Sequence, residues 1–194
     1  AGADRGDLRN AVVYLEPRER AIPVSYVPAM RSRVIAMHGR EFRPHVTIVQ
    51  AGGSVAFPNE DPFSHNVFSN VDLGPFDLGL YRRGTTRAAT FARPGVYPIY
   101  CNIHSMMVSF VVAVPSPWAT QPDEAGRFTL RGVPAGRYVI HAWHEHGARE
   151  VTRDVVVADS GAEVQLAIDA RTFVEAPHLN KFGRPYSLIR DDRY

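Results

Sequence analysis

A chain of 194 residues with 45% hydrophobic content is long enough for one large or two small domains with ordinary cores. Its 22 Lys+Arg against 20 Asp+Glu give a formal charge of +2, and the basic residues are dispersed along the chain, which argues against a nucleic-acid partner that must neutralise a run of phosphates. The longest apolar stretch, Val108 to Val114, is strand-sized and far short of the roughly 20 residues that span a bilayer, so no membrane span is expected.

The opening Ala1-Gly2-Ala3-Asp4 is of the small and polar kind that removal of a secretion signal leaves, which points to a periplasmic or secreted protein. Cysteine occurs once, so an internal disulfide is excluded and the lone thiol, Cys101, needs another explanation.

Fifteen glycines and fifteen prolines break the sequence into short, β-branched, alternating pieces, the pattern of an all-β protein. Val46 to Gln50, then Gly52-Gly53, then Ser54 to Phe57 read as a hairpin with a glycine turn. Asn66 to Ser69, Ala88 to Ala92, Val96 to Cys101 and Val108 to Val114 read as further strands, the last with Val108, Phe110, Val112 and Val114 on one face. After Pro115-Ser116-Pro117 the pattern restarts. Arg127 to Arg131, Arg137 to His141, Val155 to Val157 and Val164 to Ile168 read as strands, while the segment from Arg171 has no sustained period and reads as an extended tail that wraps the surface or is partly disordered.

Cys101-Asn102-Ile103-His104-Ser105-Met106-Met107, with His65-Asn66 upstream, carries the chemistry. A thiolate, two imidazoles and a soft thioether form the set that suits copper in both oxidation states, with His₂Cys in a plane and a weak axial Met. Cys-x₂-His on one short loop presents two ligands to one metal, and His65 must reach the same end from a distant strand.

The stretch from about Val34 to Val114 resembles cupredoxins of the plastocyanin and amicyanin type. The likeness rests on Ala51-Gly52-Gly53-Ser54-Val55-Ala56-Phe57-Pro58-Asn59, His65-Asn66-Val67, Pro94-Gly95-Val96-Tyr97 and Tyr100 to Met107. It implies a Greek-key β-sandwich with one Cu(I)/Cu(II) ion per chain held by His65, Cys101, His104 and Met107. The short loop selects Met107 over Met106, and the resemblance gives Asn66 the task of tying the two ligand loops together. Pro98, inside the strand that leads to Cys101, departs from the pattern, because its missing N–H implies an edge or a bulge.

Copper enzymes on this fold commonly carry a histidine beside the ligand cysteine as a path to a second copper. Here Tyr100 and Asn102 flank it, and an axial Met closes the place where substrate would bind. The expected function is a type 1 copper one-electron carrier serving a redox partner protein, not an enzyme; the alternative is copper delivery or resistance, with the metal as cargo. His144 and His146 would share one face of a strand, a possible weak second metal site, whereas His38, His45 and His178 read as structural or exposed.

Residues from about Trp118 to Ala170 resemble the carboxypeptidase regulatory-like, transthyretin-like β-sandwich module, through Asp123 to Leu130 and Gly132 to Tyr138. Leu8 to Leu15 looks like the opening strand that this piece otherwise lacks. The expected division is a cupredoxin over 33–115, inserted into a discontinuous second domain of 1–32 and 116–170, with 171–194 as a C-terminal extension. The resemblance extends to bacterial methylamine utilisation-type proteins that join these two parts.

Overall fold

The computed structural model describes residues 7–19, 32–174 and 177–186, so the start on which the secretion reading rests lies outside them. The fold is all-β. Among the described residues a single 3-10 turn, Leu8–Asn10, precedes fourteen strands, and no helix is long and apolar enough to cross a membrane. In chain order the strands are β1 (Val12–Pro17), β2 (Ser32–Val34), β3 (Ala36–Met37), β4 (Phe42–Arg43), β5 (Val46–Gln50), β6 (Gly53–Pro58) and β7 (His65–Ser69). They continue with β8 (Phe76–Tyr81), β9 (Thr86–Phe91), β10 (Gly95–Tyr100), β11 (Val108–Val114), β12 (Ala119–Thr120), β13 (Gly136–Trp143) and β14 (Val151–Val157).

Contacts divide the described chain into two compact units, one of 7–19 and 114–174, the other of 32–113 and 177–186. In the first, β1 lies between β12 and β13, and β14 closes the sheet order β12-β1-β13-β14. Its core gathers Val13, Leu15, Trp118, Tyr138, Ile140 and Ala142. Trp118 donates from Nε1 to the Gly132 carbonyl at 3.0 Å, and its ring meets Tyr138 edge to face. Arg127–Arg131 and Val164–Ile168 form no ladder, contrary to expectation. Their alternation is real, because Phe128, Leu130, Val164, Leu166 and Ile168 all pack on this core. A two-residue period records which side of an extended chain is covered; ladder pairing also requires a neighbouring backbone in register.

In the second unit, a five-stranded sheet of order β5-β11-β10-β7-β8 and a three-stranded sheet of order β2-β6-β9 share a core that includes Ile35, Met37, Phe57, Val67, Phe91, Tyr97, Ile99 and Val111. The hairpin expected across Gly52-Gly53 is not formed, because β5 and β6 belong to different sheets. Residues 51 and 52 make a corner, where Gly52 at φ +86° donates its N–H to the Phe91 carbonyl at 2.8 Å. Val46 to Val49 are buried without a break, the mark of a strand covered on both faces and not of half of a simple amphipathic hairpin. In β11 it is Val111 and Ala113 that join this core, although Val112 and Val114 on the opposite face are buried too.

Pro98 sits at neither an edge nor a bulge. It pairs with Phe110 of β11, whose own N–H points away to the His45 carbonyl, so this is a non-hydrogen-bonded pair and the Pro98 nitrogen faces β7. The ladder between β10 and β7 is confined to Tyr100 opposite Phe68, so Pro98 deprives no partner.

Candidate metal centre

Strand alternation sets up the site. Tyr97 and Ile99 of β10 point into the core, and two residues on, Cys101 follows them inward and is fully buried. The chain then turns through Asn102 to Met107. Met107 donates its N–H to the His104 carbonyl at 3.1 Å, and Cys101 donates its own to the Met107 carbonyl at 3.3 Å, so both ends of the loop are pinned. His65, the first residue of β7, is completely buried and arrives from the neighbouring strand.

Three donor atoms converge. Cys101 Sγ lies 3.9 Å from His65 Nδ1 and 3.6 Å from His104 Nδ1, and the two nitrogens are 3.1 Å apart. With metal–N bonds of about 2.0 Å and metal–S of about 2.3 Å, a trigonal N₂S plane places its nitrogens about 3.5 Å apart and N and S about 3.7 Å apart. The observed triangle fits a single ion with adjustments of a few tenths of an ångström. Among the described residues this is the group of three or more His, Cys, Asp and Glu side chains close enough to share a metal. Met107 is 1% exposed and joins the core cluster that contains Cys101, whereas Met106 is 82% exposed.

The electrostatics leave the donor nitrogens unprotonated. Burial pushes the His65 imidazole below its ordinary pKa despite the opposing Asp61 carboxylate. Burial, together with the charges of His65 and Arg40, brings His104 down to about 4. Both imidazoles therefore keep a lone pair at neutral pH. Burial raises the Cys101 thiol, but backbone N–H groups of Asn66, Ile103 and His104 oppose this and would hold the sulfur once a metal displaces its proton. Phe63 packs edge-on to His65 at 5.2 Å and lies 5.8 Å from His104, with the Arg40 guanidinium over its ring at 5.0 Å.

Over 73 residues the chain is 32% identical to plastocyanin from Ulva arasakii, a match that covers 33% of this chain and 74% of that protein, and the plastocyanin of Ulva pertusa gives the same figures. The chain belongs to the plastocyanin family. No protein-family model matches it. Solved structures similar to this plastocyanin relative include amicyanin from Paracoccus versutus, 20% identical over 52% of this chain and 98% of that one, with a TM-score of 0.41. A purple cupredoxin from Nitrosopumilus maritimus is 22% identical over 42% of this chain and 99% of that one, with a TM-score of 0.38. A Cu-containing nitrite reductase from Thermus scotoductus SA-01 is 26% identical over 51% of this chain, with a TM-score of 0.39; the present chain spans a quarter of that enzyme's length.

Other residues of this plastocyanin-family protein fall differently from the sequence reading. The Asn66 side chain does not tie the ligand loops to each other. It donates to Asp77 Oδ1 at 2.6 Å, and only its backbone N–H acts on Cys101. The cause is a bulge on β8, where Gly79 at φ +69° adds a residue opposite β7 and turns Asp77 towards Asn66. β13 ends at Trp143, so alternation does not govern His144 and His146. His144 spends Nε2 on the Asp7 carbonyl at 3.1 Å and accepts the His146 N–H at Nδ1 at 3.0 Å.

The tail supplies what the sequence did not announce. Tyr186 donates its hydroxyl to the Cys101 carbonyl at 2.6 Å, and His178 stacks on Tyr100 with centroids 4.1 Å apart. Lys181 binds Asn102 Oδ1 through its N–H and Asp77 through Nζ. Asp61, on the loop before β7, is the other unannounced group, 2.7 Å from His65 Nε2. Its place four residues before the candidate ligand His65 is the only hint in the sequence.

Proposed function

We propose that this protein is a type 1 copper, one-electron carrier whose ion is held by His65 Nδ1, Cys101 Sγ and His104 Nδ1, with Met107 as the weak axial ligand. Bound copper supplies the electron by cycling between Cu(II) and Cu(I). The observation that carries the reading is the N₂S triangle of 3.1, 3.6 and 3.9 Å built on a core cysteine beside a buried methionine. The residues do the rest. Cys101 gives up its proton, two neutral imidazoles complete the plane, and the bonds that pin Cys101 to Met107 and Met107 to His104 keep the loop in place through the redox cycle. Ligands held by a close-packed core move little, so reorganisation is small and exchange fast. Family membership supports a place outside the cytoplasm and a protein redox partner as donor or acceptor.

The unit of 7–19 and 114–174 is read as the discontinuous carboxypeptidase regulatory-like module, a folding or docking element without chemistry of its own. The pairing of β1 with β12 and β13 supports this.

The test is the visible spectrum on titration with one equivalent of Cu(II), for the wild type and for Cys101→Ser. An intense thiolate-to-copper band, bleached by ascorbate, restored by oxidation and absent from the variant, is expected. Copper taken up without that band would refute the carrier and favour a role in metal delivery.

A further inference from the structure

The His65 ring has two nitrogens, and only one faces the Cys101–His104 pair. The other, Nε2, meets Asp61 Oδ2 at 2.7 Å, in a place where Asp61 is 4% exposed and His65 wholly buried. A buried carboxylate against a candidate ligand imidazole needs a reason, since burying the charge is costly unless it is well bonded.

The surroundings are built for it. β3 and β4 are joined by a two-residue turn, Gly39-Arg40, with both residues at positive φ, +67° and +60°. That turn aims two consecutive backbone N–H groups at the carboxylate: Gly39 N–H to Oδ1 at 2.6 Å and Arg40 N–H to Oδ2 at 2.9 Å. The Asp61 backbone N–H is itself held by Asn59 Oδ1 at 3.0 Å, while Asn59 Nδ2 donates to the carbonyls of Phe63 and Tyr81. Burial alone would raise the carboxyl pKa, but the N–H of Arg40, the His65 ring and the N–H of Gly39 outweigh it, and the group is lowered. Asp61 is therefore an anion locked in position by the β3–β4 hairpin, whose Arg40 also lies over Phe63 beside the two histidines.

We infer that Asp61 is a positioning residue that fixes His65 as the Nε2–H tautomer, leaves the Nδ1 lone pair for the metal, and strengthens His65 as a donor so that Cu(II) is favoured over Cu(I). This rests on the copper reading above. A carboxylate on the far nitrogen raises ligand basicity, and such partners typically change metal affinity about 10–100-fold when removed. The effect differs between oxidation states because a stronger donor and a fixed negative charge stabilise the dication more than the monocation.

The experiment compares wild type and Asp61→Asn by redox titration of the copper-loaded protein with mediators and, without metal, by ¹⁵N NMR of the His65 ring. Expected is a Cu(II)-to-Cu(I) affinity ratio about tenfold lower in the variant, a rise in potential of about 59 mV, with the blue band retained. In the metal-free wild type, His65 should carry its proton on Nε2, with slow exchange. An unchanged or lowered potential beside an intact blue band overturns the inference alone, as does a wild-type His65 protonated at Nδ1. A wild-type protein without the blue band overturns the copper reading and this inference with it. Should Asp61→Asn fail to fold, the wild-type tautomer still decides.

Discussion

Met106 and Met107 are chemically identical neighbours, and the structure assigns them opposite consequences. Met107 is 1% exposed and packed with Cys101, Tyr97 and Ile99 in the core, whereas Met106 is 82% exposed. Truncating a buried methionine to alanine costs 2–5 kcal/mol, and Met107→Ala should fall near the middle, about 3 kcal/mol, because the backbone bonds at Cys101 and His104 prevent the loop from collapsing into the hole. In a domain of this size each kcal/mol lowers Tm by about 4–8 °C, so a loss of roughly 12–24 °C is expected. Met106→Ala should stay within about 0.5 kcal/mol of wild type. The assay is thermal unfolding of the metal-free protein, which separates packing from ligation.

The sulfur is then isolated by Met107→Leu. That change conserves volume and should cost under about 1.5 kcal/mol without metal. In the copper-loaded protein it should alter the charge-transfer spectrum and raise the potential, since a thioether donor is lost while the packing is kept. A larger stability loss from Met106→Ala than from Met107→Ala would refute the packing argument; a loaded Met107→Leu protein spectrally identical to wild type would refute axial ligation.

Tyr186→Phe removes the hydroxyl that donates to the Cys101 carbonyl and should cost about 1 kcal/mol in denaturant unfolding, with faster amide exchange in the 102–107 loop; unchanged exchange would show that the tail does not brace the loop. Glu150 is lowered because, against its burial, it accepts from His141 and Tyr14. A depressed folded-state pKa gives stability that is present above the unfolded value of about 4.3 and is lost as pH falls through the folded value. Glu150→Gln should therefore destabilise at pH 7 and flatten the acid limb below about pH 4.5. An acid limb as steep as that of wild type would exclude this carboxylate as a contributor.

What the sequence disclosed about the site and what it hid have separate causes. Cys101 and His104 are three residues apart on one turn, and Cys101 continues the inward face of β10, so their convergence is local and readable. His65 is legible because His65-Asn66-Val67 resembles the cupredoxin pattern, even though it lies far from Cys101 in the chain. Asp61 is hidden because its partners, Gly39 and Arg40, lie about twenty residues upstream, and nothing in a Gly-Arg turn says which carboxylate its N–H groups will face. The Asn66 side chain went to Asp77 because the β8 bulge at Gly79 shifts the register by one residue, a displacement no alternation pattern reports.

The same distinction explains the fold. The hydrophobic period identified β6 and β10 because each has a face that alternates against the core; in β11 it found the strand but marked the face of Val108 and Phe110, whereas Val111 and Ala113 join the core. It misjudged the Gly52-Gly53 corner because a hairpin and a crossing between sheets use the same residues: both need a glycine at positive φ, and only the neighbour that each strand meets decides between them. The continuous burial of Val46 to Val49 fits this outcome, since the strands of a simple half-exposed hairpin would each keep one open face. The corner starts the chain towards the other sheet and then, through Asn59 and Asp61, back to His65. The site thus inherits its spacing from the corner: β5 and β11 share the sheet that presents Cys101, while the loop after β6 delivers His65 together with the carboxylate that holds it.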